Sequence, residues 1–337
     1  NCSSLTGITV DSLNPVYSSV NGVLFNKIQT TLLQCPQGIV GAFTIPSGTT
    51  VISDQAFQYC SNLTGVIIPD SVTNTGNATF QFCNNLTSVA LGSNIVNIGT
   101  SDFLSCSSLV NITIPFGVTS LGDSAFEYCG SLTNCLMPNT VTNTGNSTFA
   151  YCTNLVAATI STNVTTIGDD LFLWDSNLRQ VTIPDGVITI GTGSFGNGVG
   201  ITSLIIPDSV TSIGAYAFNA CPLTSLSIGN SVTNIGQRAF LGCSGLTRSV
   251  IMPKGLLYIG DYGFAVCFRV PAIFFQGDAP TLGADALYDD FSATAYYLPG
   301  TKNWTNTLGA IPAVLWNPQP QTSDGSFGVQ NNRFGFN

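Results

Sequence analysis

The chain has 337 residues, of which 44% are apolar and only 7% charged, with a net charge of −9 from 17 acidic and 8 basic side chains. So low a charge suggests a membrane protein, yet no apolar run approaches the roughly 20 residues that a spanning helix needs, because Ser, Thr, Asn or Gly interrupts every few positions. No basic cluster offers a footprint for nucleic acid or an anionic membrane, and a surface of neutral hydroxyls and amides does little to oppose self-association.

At the start, Asn1 is followed at once by Cys2 and a fragment of a repeat, with no signal peptide, so the sequence reads as a mature or excerpted chain. Residues 11–43 break the period that follows. Within them, 16–25 reads as a β-hairpin with Asn21-Gly22 in the turn, and a second short strand lies near Leu32-Leu33-Gln34. The expectation is an atypical hairpin insertion on one solenoid, not a separate domain.

A repeat then takes over. Phenylalanine recurs at Phe57, Phe80, Phe103, Phe126, Phe149, Phe172, Phe195, Phe218, Phe240 and Phe264, in steps of 23 residues seven times, then 22, then 24. Three residues after most of them comes Cys60, Cys83, Cys106, Cys129, Cys152, Cys221, Cys243 or Cys267, and three later a leucine such as Leu63, Leu86 or Leu109. A short apolar strand follows (Val66-Ile67-Ile68-Pro69), then Val-Thr-x-Ile-Gly, as in Val210-Thr211-Ser212-Ile213-Gly214. Alternation sends Val66 and Ile68 inward and Gly65 and Ile67 outward. Pro69 ends the strand because it has no ladder donor. Gly76, Gly99, Gly122 and Gly145 share one slot, read as a tight bend. Ala56, Ala125 and Ala217, each just before its Phe, are read as filling the turn opposite the strand. One unit cannot bury its own apolar face, but stacked neighbours can. The predicted fold is a solenoid over residues 1–270, mostly β and coil, with a parallel strand per repeat.

This pattern resembles the BspA-like leucine-rich repeats, a bacterial and protist surface-protein family. The likeness rests on residues 206–221 and their copies, and covers roughly 44–270 strongly. It implies a leucine-rich-repeat solenoid that is exported and serves adhesion or surface assembly.

From 271 the repeat decays. Ala272–Phe275, 295–298 and 313–316 read as three strands of a C-terminal β cap over 271–316, with Trp304 and Trp316 closing the core. Residues 317–337 read as a polar tail or linker, with room for one strand over 327–336. Cys2 and Leu5 take the slots of Cys60 and Leu63 in a repeat whose Phe would precede the chain. That open end could be covered by the tail of a neighbouring subunit, which would generate a filament. The alternative is an excerpt whose tail lies on its own cap.

With no histidine in the chain, Ser-His-Asp, Cys-His and His-zinc chemistry is excluded. No Cys-x-x-Cys, phosphate loop or dinucleotide fingerprint occurs. Asp169-Asp170 and Asp289-Asp290 are adjacent acids, which on an extended chain point opposite ways. The stacked Asp123, Asn146 and Asp169 could bind calcium, but read better as surface turns. The expectation is a protein that is not an enzyme and takes no cofactor or metal.

The slot cysteines, with Cys2, would stack about 5 Å apart, within disulfide reach. Their parallel side chains are poorly aimed at one another, so buried thiols are expected. Asp175 and Gly198 replace cysteine in two copies. Cys135 falls inward on a strand and Cys35 in the insertion, and the total of 11 leaves at least one thiol unpaired within the chain. Asn-x-Ser/Thr sequons at Asn1, Asn62, Asn77, Asn85, Asn111, Asn146, Asn163 and Asn303 are either glycosylation sites or chance in an Asn- and Thr-rich chain. Asn77 and Asn146, both in Thr-Gly-Asn-x-Thr-Phe, are the better candidates. The outward ribbon (Gly65 and Ile67, Ser88 and Ala90, Asn111 and Thr113, Ala157 and Thr159, Gln180 and Thr182, Ser225 and Ser227) is small and nearly uncharged. Such a face suits a protein or glycan surface, or copies of the chain itself, better than a small molecule. The resulting expectation is an extracellular or cell-surface scaffold for adhesion or structure. Its alternative is a filament or surface-layer subunit joined head to tail.

Overall fold

The computed structural model describes residues 2–198, 200–289 and 292–317, and the backbone of 329–330 and 333–334. The chain is a parallel β-solenoid of about eleven turns, with no helix among the described residues. Each turn has three walls. The first is the ladder expected after the leucine slot: Leu63–Ile67, Ser88–Ala90 and Asn111–Ile112 pair in parallel, Val66 facing Val89 and Val89 facing Ile112. The second is a ladder of two-residue strands at Val-Thr-x-Ile-Gly, such as Thr166–Ile167, Thr189–Ile190 and Ser212–Ile213. Two residues are too few for alternation to be legible, so the sequence showed one strand per repeat where the chain makes two. The steps of 22 and 24 residues sit in this ladder, as Ser212↔Asn234 and Asn234↔Tyr258.

The third wall is the arc from Gly through Phe to Cys. It is not a strand, yet alternate amides reach the next turn: Ala78 N to Thr100 O at 2.8 Å, Phe80 N to Asp102 O at 2.8 Å, Phe82 N to Leu104 O at 2.9 Å. Two residues per arc take left-handed backbone, both non-glycine in most arcs, for example Ala78 at φ 51° and Phe82 at φ 62°. The glycine slot, by contrast, is not left-handed. A Cβ on Gly99 would stand 2.2 Å from Gly76 O, and one on Gly122 2.5 Å from Thr100 N. Those glycines let successive turns touch; they do not supply a bend.

The phenylalanine column fills the core. Its ten rings are at most 1% exposed. Consecutive rings from Phe57 to Phe264 stack with centroids 4.6–5.8 Å apart.

In the insertion, Tyr17–Val20 and Val23–Asn26 form the hairpin, with Asn21 (φ 49°) and Gly22 (φ 79°) in its turn. Thr31–Gln34 pairs antiparallel with the hairpin and parallel with Val51–Ile52, which joins the insertion to the second wall. Cys2 and Leu5 do make the Cys-x-x-Leu turn (Leu5 N to Cys2 O, 2.9 Å), and Leu5 O accepts Gly38 N at 2.8 Å. They are nevertheless exposed, Leu5 to 42%, because no described turn lies beyond them. Cys2 thus departs from the burial expected of its slot.

At the other end, Ala272–Phe275, Thr294–Tyr297 and Ile311–Leu315 extend the first wall without a break. Trp304 stacks on Tyr297 at 4.6 Å and edge-on to Phe275 at 5.2 Å. The tail expected over 317–337, its strand and the filament contact built on it lie largely outside the described residues. Within them, Val329–Gln330 pairs antiparallel with Arg333–Phe334.

Candidate functional site: surface ladders of the solenoid

Stacking places every slot in a column, so each chemical group must be judged with its equivalents one turn away. The cysteine column shows this. Its thiols donate to the phenylalanine carbonyl of the preceding turn: Cys83 to Phe57 at 3.1 Å, Cys106 to Phe80 at 3.1 Å, Cys152 to Phe126 at 3.2 Å, Cys221 to Phe195 at 3.2 Å. Burial pushes the Cys129 and Cys221 thiols up to about 12 and Cys106 and Cys152 well above the ordinary range, so they stay protonated and unreactive. On the folded chain, iodoacetamide is expected to modify Cys2 and spare the nine buried free thiols from Cys35 to Cys243. Denaturant without reductant should bring those nine into reaction. Peptide mass spectrometry reads the result, and a slot thiol reacting in the folded state as fast as Cys2 would overturn the burial argument.

The acids serve as caps. Asp123 Oδ1 accepts Asn146 N at 2.8 Å, Asn146 Oδ1 accepts Asp169 N at 3.1 Å, and Asp169 Oδ1 accepts Thr192 N at 2.7 Å. Each satisfies an amide of the next turn, which accounts for the column without an ion. Asp70 accepts Ser93 N and Oγ at 2.7 and 2.9 Å, and these donors hold its carboxyl below the usual range. Among the described residues, no three His, Cys, Asp or Glu side chains lie close enough to hold a metal. Asp290, one of the adjacent acids, falls outside the described residues.

The sequon asparagines Asn62, Asn77, Asn85, Asn111, Asn146, Asn163 and Asn303 are all exposed. Asn85 and Asn163 commit their Nδ2 to carbonyls one turn back, at 2.7 and 2.6 Å. Asn77 and Asn146 bond the next turn through Oδ1 instead. Asn1 lies outside the described residues.

The outward ribbon follows the first wall, whose strands pair as four successive ladders, and is less uniform than its sequence suggested. In one column it carries Ile67, Leu136, Ile205 and Ile251, 53%, 66%, 71% and 54% exposed, among small residues such as Ala90 and Thr159. Gly65 is covered by Ala42 and Ser88. A shallow hollow on this face is lined by Ala90, Leu91, Thr113, Pro115 and Phe116.

Sequence reasoning missed the two left-handed columns of the arc. The position before cysteine carries Tyr59, Phe82, Tyr128, Tyr151 and Trp174, at φ 59–62°. Tyr59 stacks on Phe82 at 4.9 Å and Tyr128 on Tyr151 at 4.5 Å, as an aromatic ladder on the surface. Its signal, an aromatic residue recurring just ahead of cysteine, was legible. The other column places Arg238 between Tyr216 and Tyr262, its Cζ 5.5 and 5.4 Å from their ring centres, with Arg238 donating to the Tyr216 hydroxyl at 3.0 Å.

A family model of the BspA type leucine rich repeat region matches with six copies, over residues 37–156, 74–197 and 165–294. A leucine-rich repeat protein from Bacteroides ovatus is similar in fold, at 22% identity and a TM-score of 0.62, over 84% of this chain and 82% of its own. A leucine rich cell surface protein from Faecalibacterium prausnitzii shares 23% identity over 90% of this chain and all of its own, with a TM-score of 0.46. A leucine rich repeat protein from T. pallidum shares 27% over 51% of this chain and 82% of its own, with a TM-score of 0.48. No curated protein matches.

Proposed function

The chain belongs to the BspA-type leucine-rich repeat family, and from that premise we propose that this repeat scaffold works outside the cell or on its surface, holding a protein or glycan partner along the outward ribbon. Solenoids of this kind are in general non-catalytic interaction scaffolds. The observation that carries the reading is the exposed apolar column. Ile67, Leu136 and Ile205 stand at the same strand position three turns apart, on three successive parallel ladders of the first wall, which is about 14 Å per interval. Isolated exposed leucines are ordinary, but side chains held in line at fixed spacing suit a repetitive or extended partner.

Two further features support an external setting. The surface has hydroxyls and amides in place of charges. The slot thiols are protected by burial, so they would survive an oxidising environment unbridged.

Beads carrying the chain are expected to adhere to a protein- or glycan-coated surface. The triple variant Ile67→Asp, Leu136→Asp, Ile205→Asp should reduce that adhesion by about tenfold or more while leaving the melting curve in place. Equal adhesion by the variant would sink the ribbon as the binding face. Light scattering on the same samples reads the homopolymer alternative, and antibody labelling of intact cells reads the location.

A further inference from the structure

The aromatic ladder has one open rung. Between Phe82 and Tyr128, which are two turns apart, the middle position is Ser105 (φ 61°), on the same left-handed backbone as its neighbours. Because stacked pairs on either side lie 4.9 and 4.5 Å apart, two rungs of about 5 Å each leave space for one planar group above Ser105.

The same molecule shows what a planar group does in such a place. Tyr216, Arg238 and Tyr262 also sit on consecutive left-handed rungs, at φ 58°, 54° and 55°, and the guanidinium lies between the two rings. Tyr216 and Tyr262 are 46 residues apart, as are Phe82 and Tyr128. One sandwich is filled by the chain's own arginine, and the other holds a serine.

Charge points the same way. From residue 28 to 178 the chain has no lysine or arginine, but eight acids: Asp54, Asp70, Asp102, Asp123, Glu127, Asp169, Asp170 and Asp175. The only glutamate, Glu127, adjoins Tyr128 on the rung beside the gap. Its backbone adjoins the open rung directly, Glu127 O accepting Ser105 N at 2.8 Å. Left-handed backbone also disfavours aromatic residues, and the equivalent positions Asn197 and Gly242 show that the fold accepts residues at ease there.

We propose that the Phe82–Ser105–Tyr128 gap is a binding site for an arginine side chain on a basic protein partner, the guanidinium stacking between the two rings with Glu127 beside it. Arginine is favoured over lysine because its planar, weakly hydrated group meets two ring faces at once. This deepens the scaffold reading by naming a partner chemistry. It is tested with small peptides, so its failure would leave the ribbon reading standing.

The full-length chain is titrated at low salt with the acetylated amide peptides Gly-Arg-Gly and Gly-Lys-Gly, followed by tyrosine fluorescence and NMR shifts. The arginine peptide should bind at least about fivefold more tightly than the lysine peptide. Ser105→Tyr, which completes the ladder with a residue the backbone already accepts at Tyr128, should weaken arginine binding by about tenfold or more with an unchanged melting curve. Tyr128→Leu, which removes one face, should weaken it by at least about fivefold, and guards against misfolding of the filled variant. Absence of binding, equal affinity for the two peptides, or full binding by both variants overturns the assignment.

Discussion

Replacing Phe126 by alanine is expected to cost about 4 kcal/mol of stability, near the middle of the range for buried phenylalanine truncations. The ring is fully buried and lies 5.3 Å from Phe103 and 5.1 Å from Phe149, so its loss opens a cavity walled by two rings that cannot close it. The pattern of unfolding should change as well. Each turn of a solenoid contacts only its neighbours, so stability is a sum of local turn and interface terms. A weakened interface at mid-chain is expected to split one cooperative transition into two. Denaturant titration followed by circular dichroism reads both effects. Phe126→Leu should recover most of the loss, whereas Ile67→Asp on the outward face should change stability by no more than about 0.5 kcal/mol. If Phe126→Ala melts like the parent chain, the phenylalanine column does not organise the core.

Asp102 is expected to make the chain more stable in mild acid than in base. Its carboxyl fills the slot held by Ala56, Ala125 and Ala217 in other turns and is completely buried. Burial pushes its pKa up to about 7 from the usual 3.8, and the neighbouring Thr75 and Thr79 hydroxyls offset only part of that rise. Neither carboxyl oxygen has a hydrogen bond of ordinary geometry. Between those two pKa values the folded chain holds a proton that the unfolded chain has released. Stability from this group is therefore complete below about pH 4 and is lost as pH rises through about 7, amounting to about 4 kcal/mol in all. Asp175, buried in the cysteine slot with its pKa also raised by burial, adds in the same direction. Asp102→Ser should remove the Asp102 part of the slope, leaving that of Asp175, and stabilise the chain at pH above about 7. Ser194, in the equivalent slot, donates to Gly191 O at 2.7 Å, and the new hydroxyl has the same kind of acceptor in Gly99 O. A flat stability profile between about pH 5 and pH 8 in the parent chain would rule out a buried, titrating Asp102.

Much of this protein is determined by its sequence alone. A 23-residue period with Phe, Cys, Leu and Val in fixed slots can be satisfied only by stacking, since each unit exposes the apolar face that its neighbour covers. The hairpin turn was equally legible, because Asn21-Gly22 names a local conformation that needs no partner. The tertiary structure decided whatever depends on the adjacent turn. Gly99 is glycine because Gly76 O occupies the space of its Cβ, and the buried Cys83 thiol finds an acceptor in Phe57 O of the preceding turn, beside the Cys60 amide. Asp123 and Asp169 cap amides 23 residues further on. Cys2 shares the motif of Cys60 but lies exposed, with no described turn beyond it. The open rung at Ser105 is visible only once Phe82 and Tyr128 are set on either side of it. A linear repeat shows which residues recur, whereas contacts between turns join positions 20 or more residues apart, and only the stacked backbone brings those partners within reach.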